Sequence, residues 1–351
     1  MDDQAEAELE RTLKRSYGRF IADELLDEQD RDLLRRAFPK NDTAENAVFA
    51  ARNDLDAHRG RLTIHSEWDP EVPPDDAVIR RYLSVDRFWS LLEASGLWFS
   101  RIDGFSDQFE ATLPKPNADL RDAVKRWSGR DSTETEHNER MRKRRDDRTY
   151  INCWRLGEDE SAVFWNAYIG DEYGVAVETT VGDFRAAVEM DVSDGYVELY
   201  REYVRSRGPE RAERQARMYD GLSKLQVGAV EYLDYDEDAI PGSTFSYSRY
   251  FHKRNAFEDE REFRAVFEDD AALTPEVEGY DSVQLHGLLT GEEMHVAESG
   301  QYVPVDTERL VTGVVLAPGT SESFRTLVEL TLQDHGVDVP VTRSRLDETP
   351  N

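Results

Sequence analysis

The chain has 351 residues, of which 38% are apolar and 10% aromatic, so it can bury the core of one large domain or two modest ones. It carries 74 acidic and 44 basic residues, a net charge of −30, and this argues against general nucleic-acid binding, which needs a basic face. Only seven of the basic residues are lysine, and the acidic residues are spread along the whole chain, a pattern that indicates adaptation to a salt-rich (halophilic) cytosol.

Residues 1–75 predict a helical extension and a linker. Apolar positions at helical spacing, such as Phe20, Leu25 and Leu33, predict two or three helices up to about residue 58. Residues 60–74 are acidic, contain proline and lack a pattern, as is typical of a linker. We expect these helices to offer a docking surface for a protein partner, or alternatively to pack on the core of the main domain.

Residues 76–347 predict a main α+β domain with a mixed, mainly antiparallel sheet and flanking helices. It opens with a strand at 78–83, a helix that begins after Ser84, with Gly96 at its C′ position, and a second strand at 97–102. Further strands are predicted at 150–155, 174–179, 227–232, 302–305, 311–316 and 337–342, and helices at 161–169, within 183–223 and at 321–335.

Two charged segments lie between these elements. Asp107 and Glu110 lie three residues apart in a loop beside two phenylalanines, where they either bind a ligand or cap a helical turn. Six of the nine residues from Arg140 to Arg148 are basic. That cluster predicts either a contact with phosphate or a helix paired with the acidic residues before it.

Residues 250–267 contain the best candidate site. From Phe257 onward apolar residues alternate with charged ones, which predicts a strand with one buried face. The charged face would present Glu260, Glu262 and Arg264, our candidate catalytic residues. The cationic or titratable side chains of His252, Lys253 and Arg254 come directly before it. The alternative is an ordinary solvated strand face.

Several blocks together resemble the large prokaryotic family catalogued as domain of unknown function number 2971, over about residues 78–347. They are Arg81-Tyr82, Leu97-Trp98-Phe99-Ser100, Phe105 to Glu110, Asn152-Cys153-Trp154, Glu160-Ser161, Phe164-Trp165 with Tyr168, Tyr173 to Val177, Val230-Glu231-Tyr232, Lys253-Arg254 with Phe257 to Arg264, and Val303-Pro304-Val305 through the C-terminal helix. The chain departs from the family at Ser106, Gln108, Arg155 and Phe164. The resemblance implies a fold neighbourhood but no reaction.

The order of residue types is also similar to that of ADP-ribosyltransferase-like domains. This similarity implies NAD as cofactor, with a cation on an early strand, an aromatic residue in the middle and a carboxylate on a late strand that stabilises a positively charged ribose. Candidate cofactor-binding residues are Arg80, Arg81, Tyr82, Trp165, Tyr168 and Lys253. Glu260 or Glu262 would be the catalytic carboxylate, and Arg264 would orient it.

Two other functions stay open at this point. One is a non-catalytic module of a defence or stress system that binds a nucleotide or a partner. The other is a metal-dependent phosphodiesterase built from Asp107, Glu110, Glu258, Glu260 and Lys253. No metal ligand is assigned, because histidine-based metal motifs are absent from the sequence.

The number of cysteines and the length of the apolar runs predict the cellular compartment. Cys153 is the only cysteine, so an internal disulfide and a thiolate zinc cluster are excluded. No apolar run approaches the roughly 18 residues that span a bilayer, and the first residues are acidic, unlike a signal peptide. We expect a cytoplasmic protein with no membrane partner.

Overall fold

A computed structural model describes residues 28–37, 70–128, 146–147, 149–170, 173–188, 225–240, 247–268 and 299–347. The predicted helices of residues 1–58, apart from one, and the Arg140–Arg148 cluster, apart from two aspartates, lie outside these residues, as does most of the segment 183–223. Within them no helix is long and apolar enough to cross a membrane.

The chain divides into two compact units. The first contains Met1–Pro70, Phe105–Asp146 and Val230–Asp259, and the second contains Glu71–Gly104, Asp147–Ala229 and Glu260–Asn351. The predicted domain boundary near residue 75 stays a prediction.

In the described residues the helices are α1 (Glu28–Ala37), α2 (Val85–Glu93), α3 (Lys115–Ser128), α4 (Ala162–Tyr168), α5 (Val181–Ala187), α6 (Thr307–Leu310) and α7 (Glu322–Asp334). The strands are β1 (Val78–Ser84), β2 (Gly96–Arg101), β3 (Thr149–Leu156), β4 (Gly174–Thr180), β5 (Gln226–Ala229), β6 (Glu231–Leu233), β7 (His252–Arg254), β8 (Glu262–Glu268), β9 (Gly300–Pro304), β10 (Gly313–Leu316) and β11 (Val341–Arg343).

The second unit is built on one mixed, mostly antiparallel sheet, so the predicted α+β class is confirmed. Its described strands run in the order β11-β10-β4-β1-β3-β2-β9, while β8 pairs with β3 and β5 pairs with β8. Only β10 and β11 form a parallel pair among these ladders. In the first unit β6 and β7 form a separate parallel pair, and α1 contacts α3.

The two faces of the sheet bury different residues, because successive side chains of a strand point to opposite sides. On β1, Ile79 and Leu83 join the main core with residues of α2, α5 and α7. Tyr82 lies in a smaller cluster with Trp165 of α4 and Ala176 of β4. Leu310 of α6 belongs to the main core, so α2, α5, α6 and α7 contribute to one face of the sheet and α4 covers the other.

One edge of β3 is shared by two strands, and we call this place the fork. β1 pairs with β3 only at Ile79↔Leu156 and Arg80↔Arg155. β2 pairs with the same edge at Ser100↔Ile151 and Arg101↔Tyr150. In the described ladders, neither β1 nor β2 pairs with residues 152–154 on this edge of β3. Side-chain hydrogen bonds take the place of backbone pairing there.

The structure corrects three details of the sequence prediction. The strand predicted from Phe257 begins at Glu262, and Asn255–Glu260 form a 3₁₀ helix. β8 is buried on both faces, so its charged face is not a solvated one. The left-handed residue after α2 is Ser95, with φ of 43°, and Gly96 already belongs to β2.

Candidate functional site

Arg81 lies at the fork and is half-buried. Its Nη2 atom donates a hydrogen bond to the carbonyl oxygen of Trp98 at 3.2 Å. Among the described residues no carboxylate forms an ion pair with it. Buried charges are normally paired, and in the described residues Arg81 shares this lack of a carboxylate partner with the buried Arg155, which donates to the Asp159 carbonyl at 2.7 Å.

Burial lowers the pKa of Arg81 from its ordinary value to about 10, because removal of water penalises its charged form. The Cys153 thiol opposes this effect, and the nearby Arg87 adds to it. The ionisable side chains of Tyr168 and Tyr302 also raise the pKa of Arg81. These groups partly offset the loss of solvent around the guanidinium but do not neutralise it.

Exposed aromatic rings accompany Arg81. Tyr168 is 51% exposed and Tyr302 is 44% exposed. The Tyr168 ring stacks on Phe164 with centroids 5.5 Å apart, and the Tyr302 ring meets Trp98 edge-on at 5.0 Å. The Tyr302 hydroxyl also shares a hydrogen bond with Ser90. The arrangement offers a cation, flat apolar rings and hydroxyl groups, which together suit a ligand with an anionic group and a ring.

The other predicted cofactor-binding residues of the second unit already have protein partners. Arg80 forms an ion pair with Glu178 and donates to the carbonyl of Glu158. The Tyr82 hydroxyl accepts a hydrogen bond from the Ser161 backbone at 3.0 Å, and burial raises the pKa of this phenol. The Trp165 indole is buried and donates to Glu160 at 3.0 Å. Of the same set, Arg81 is half-buried and Tyr168 is exposed.

Two of the three predicted catalytic residues, Glu262 and Arg264, are engaged with each other. Arg264 is completely buried on β8, and its Nε and Nη2 atoms donate to the two carboxylate oxygens of Glu262 at 2.8 and 2.9 Å. Such a bidentate pair holds both side chains in a fixed geometry. Glu260 ends the 3₁₀ helix before β8 and is half-buried.

In the first unit, the loop carboxylates meet the cations of β7. Asp107 accepts a hydrogen bond from Arg254 at 2.7 Å, and the Glu110 carboxylate lies 3.9 Å from the Lys253 ammonium. The Arg254 guanidinium stacks over the Phe109 ring at 4.1 Å. Lys253 and Arg81 thus belong to different units. Asp107 also accepts from the Phe109 backbone at 3.1 Å, which closes the local turn.

Neither unit offers a conventional metal centre in its described residues. They contain no group of three or more His, Cys, Asp or Glu side chains placed to hold a metal ion. Asp107, Glu110 and Lys253 come together as the phosphodiesterase hypothesis requires, but as two carboxylate–cation pairs.

Three residues at the fork escaped the sequence prediction of the site. All three lie in predicted strands, and Trp98 and Asn152 also lie in the family blocks, but residue type gave none of them a role in the site. Trp98 contributes its backbone carbonyl, and a backbone group leaves no signature in residue type. Tyr302 reaches the site because β9 pairs with β2 at Trp98↔Tyr302, a contact between positions distant in sequence.

Comparisons of the chain with protein-family models, with curated proteins and with solved structures find no match. The resemblance described above therefore stays a prediction.

Proposed function

We propose that the second unit binds a small anionic ligand of the nucleotide class at Arg81, with NAD as the first candidate. One observation carries the proposal. A half-buried guanidinium donates one hydrogen bond, to the Trp98 carbonyl, and no described carboxylate pairs with it. A ligand phosphate would supply the missing negative charge and can accept two parallel hydrogen bonds from one guanidinium.

The aromatic rings favour a nucleotide over a simple anion. Tyr168 and Tyr302 expose about half of their surface beside this cation, and exposed aromatic rings are the usual stacking platforms for bases. Their hydroxyls can donate to phosphate or ribose oxygens. The proposal therefore assigns the phosphate to Arg81 and the base or nicotinamide ring to a tyrosine.

We propose binding rather than ADP-ribosyl transfer as the primary activity. Transfer needs a carboxylate that faces the ribose as positive charge develops on it. Glu262 has both of its oxygens hydrogen-bonded to Arg264. Among the candidates of the sequence prediction, this leaves Glu260 to carry a transfer reaction.

Calorimetric titration tests the proposal. NAD and AMP should bind the wild-type chain, and Arg81→Met should weaken binding about tenfold or more, because a charge-assisted hydrogen bond contributes roughly 1.5–3 kcal/mol. Arg325→Ala is the matched control, since Arg325 lies on α7 in an exposed ion pair with Glu329. An affinity unchanged by Arg81→Met would overturn the proposal.

The same variant should increase stability in the absence of ligand. Because the folded-state pKa of Arg81 is lowered to about 10, the charged guanidinium opposes folding below that pH, and the opposition is relieved as the pH rises from there towards the higher pKa of the unfolded chain. Methionine removes this unfavourable charge, and the Trp98 carbonyl keeps its hydrogen bond from Asn152. We expect an increase of about 1 kcal/mol in the free energy of unfolding at neutral pH, measured by denaturant titration.

A further inference from the structure

Asn152 is completely buried at the fork and has a single orientation. Its Oδ1 atom accepts a hydrogen bond from the Trp154 indole at 2.6 Å, and its Nδ2 atom donates to the Trp98 carbonyl at 2.8 Å. An indole nitrogen can only donate, so the amide oxygen must face Trp154 and the amide nitrogen must face Trp98. The two partners thus fix the amide without ambiguity.

Asn152 and Arg81 share one acceptor. Arg81 donates to the same Trp98 carbonyl oxygen, so the amide nitrogen and the guanidinium nitrogen lie within about 6 Å of each other. Asn152 therefore holds in place the atom that orients the guanidinium. It does so without a negative charge of its own.

We infer that Asn152 is the positioning and specificity-determining residue of the Arg81 site, and that its neutrality makes the site selective for anionic ligands. This inference rests on the proposed function. An aspartate at this position would have nearly the same shape and could still accept from Trp154. Its second carboxylate oxygen would face the Trp98 carbonyl oxygen, so that two acceptors would meet and no hydrogen bond would form. The same carboxylate would supply Arg81 with the negative partner that the fork lacks. The intramolecular ion pair would then compete with a ligand phosphate.

The test compares a charged ligand with its neutral counterpart. AMP and adenosine present the same base and ribose, but only AMP carries a phosphate. We expect Asn152→Asp to weaken AMP binding tenfold or more while adenosine binding changes less than twofold. Asn152→Ala, which removes the anchor but adds no charge, should weaken AMP binding about threefold and leave adenosine binding unchanged.

Other outcomes would overturn the inference. Equal weakening of AMP and adenosine binding would mean that Asn152 only maintains the fold, and wild-type affinity for AMP in both variants would mean that it does not position Arg81. Near-ultraviolet circular dichroism checks that each variant is folded, and if Asn152→Asp does not fold, Asn152→Ala decides the question by the same comparison. Failure of the proposed function itself is distinct, because AMP would then bind wild type and Arg81→Met equally or not at all.

Discussion

At the scale of single residues, three arginines of the second unit show how one residue type takes different roles. Arg80 and Arg264 each have a carboxylate partner, Glu178 and Glu262 respectively. Arg81, next to Arg80 in β1, has none among the described residues. The two guanidiniums also reach different backbone groups, because Arg80 donates to the Glu158 carbonyl and Arg81 donates to the Trp98 carbonyl at the fork. Two neighbours in one strand thus have different surroundings.

The Glu262–Arg264 pair predicts a large loss of stability on truncation. Glu262→Ala would leave the guanidinium of the fully buried Arg264 without its bidentate partner, so we expect unfolding to become easier by roughly 3–5 kcal/mol in denaturant titration. The double variant Glu262→Ala with Arg264→Met should recover much of this loss, because it also removes the buried positive charge. A Glu262→Ala variant with wild-type stability would contradict a structural role and favour the catalytic one.

At the scale of elements, the local patterns predicted most helices and strands but misplaced the start of β8 and gave one strand at 227–232, where β5 and β6 belong to separate sheets. Ser161 and Ser321 accept hydrogen bonds from backbone amides and begin α4 and α7 at the predicted positions. Before β8, the alternation of Phe257 with charged residues imitates a strand, although these residues form a 3₁₀ helix. The fork could not be predicted, because it depends on two strands that meet one edge of β3.

The start of β4 gives a prediction at this scale. A Cβ atom at Gly174 would lie 2.5 Å from the Ile169 side chain and 2.7 Å from the Leu83 carbonyl, where α4 and β1 pack closely. We expect Gly174→Ala to lower stability by about 1–3 kcal/mol through overpacking, measured by chemical unfolding. Gly104→Ala is the matched control, because a Cβ atom there meets nothing within 4 Å. Equal effects of both variants would show that the close packing is absent.

At the scale of the whole molecule, the negative net charge is the feature that most affects stability. With a net charge of −30, repulsion between acidic residues opposes the compact state wherever salt does not screen it. The few carboxylate–cation pairs that are buried, such as Glu262–Arg264 in the second unit and Glu110–Lys253 in the first, involve a small part of this charge. Stability should therefore depend on ionic strength more than on any single pair.

A thermal unfolding series tests this dependence. We expect the midpoint of unfolding to fall steadily as KCl is lowered from about 2 M to about 0.1 M, because the screening length grows from a few ångströms to about 10 Å. Sucrose serves as the control, since it stabilises by exclusion from the surface and does not screen charge. A midpoint that is the same in dilute buffer and in molar KCl would show that the acidic surface has no such role.

The sequence by itself determined the class of the fold, most elements of the described sheet and the acidic surface. These properties depend on the period of apolar residues, on capping residues and on composition, all of which are local or summed over the chain. It also named Arg81 and Tyr168 among the candidate cofactor-binding residues, and that role stays a prediction. Only the tertiary structure decided which groups surround Arg81, because they come from β2, β3, α4 and β9 together. Contacts between distant segments carry no periodic signal, and so the fork and the role of Asn152 became visible only in the folded chain.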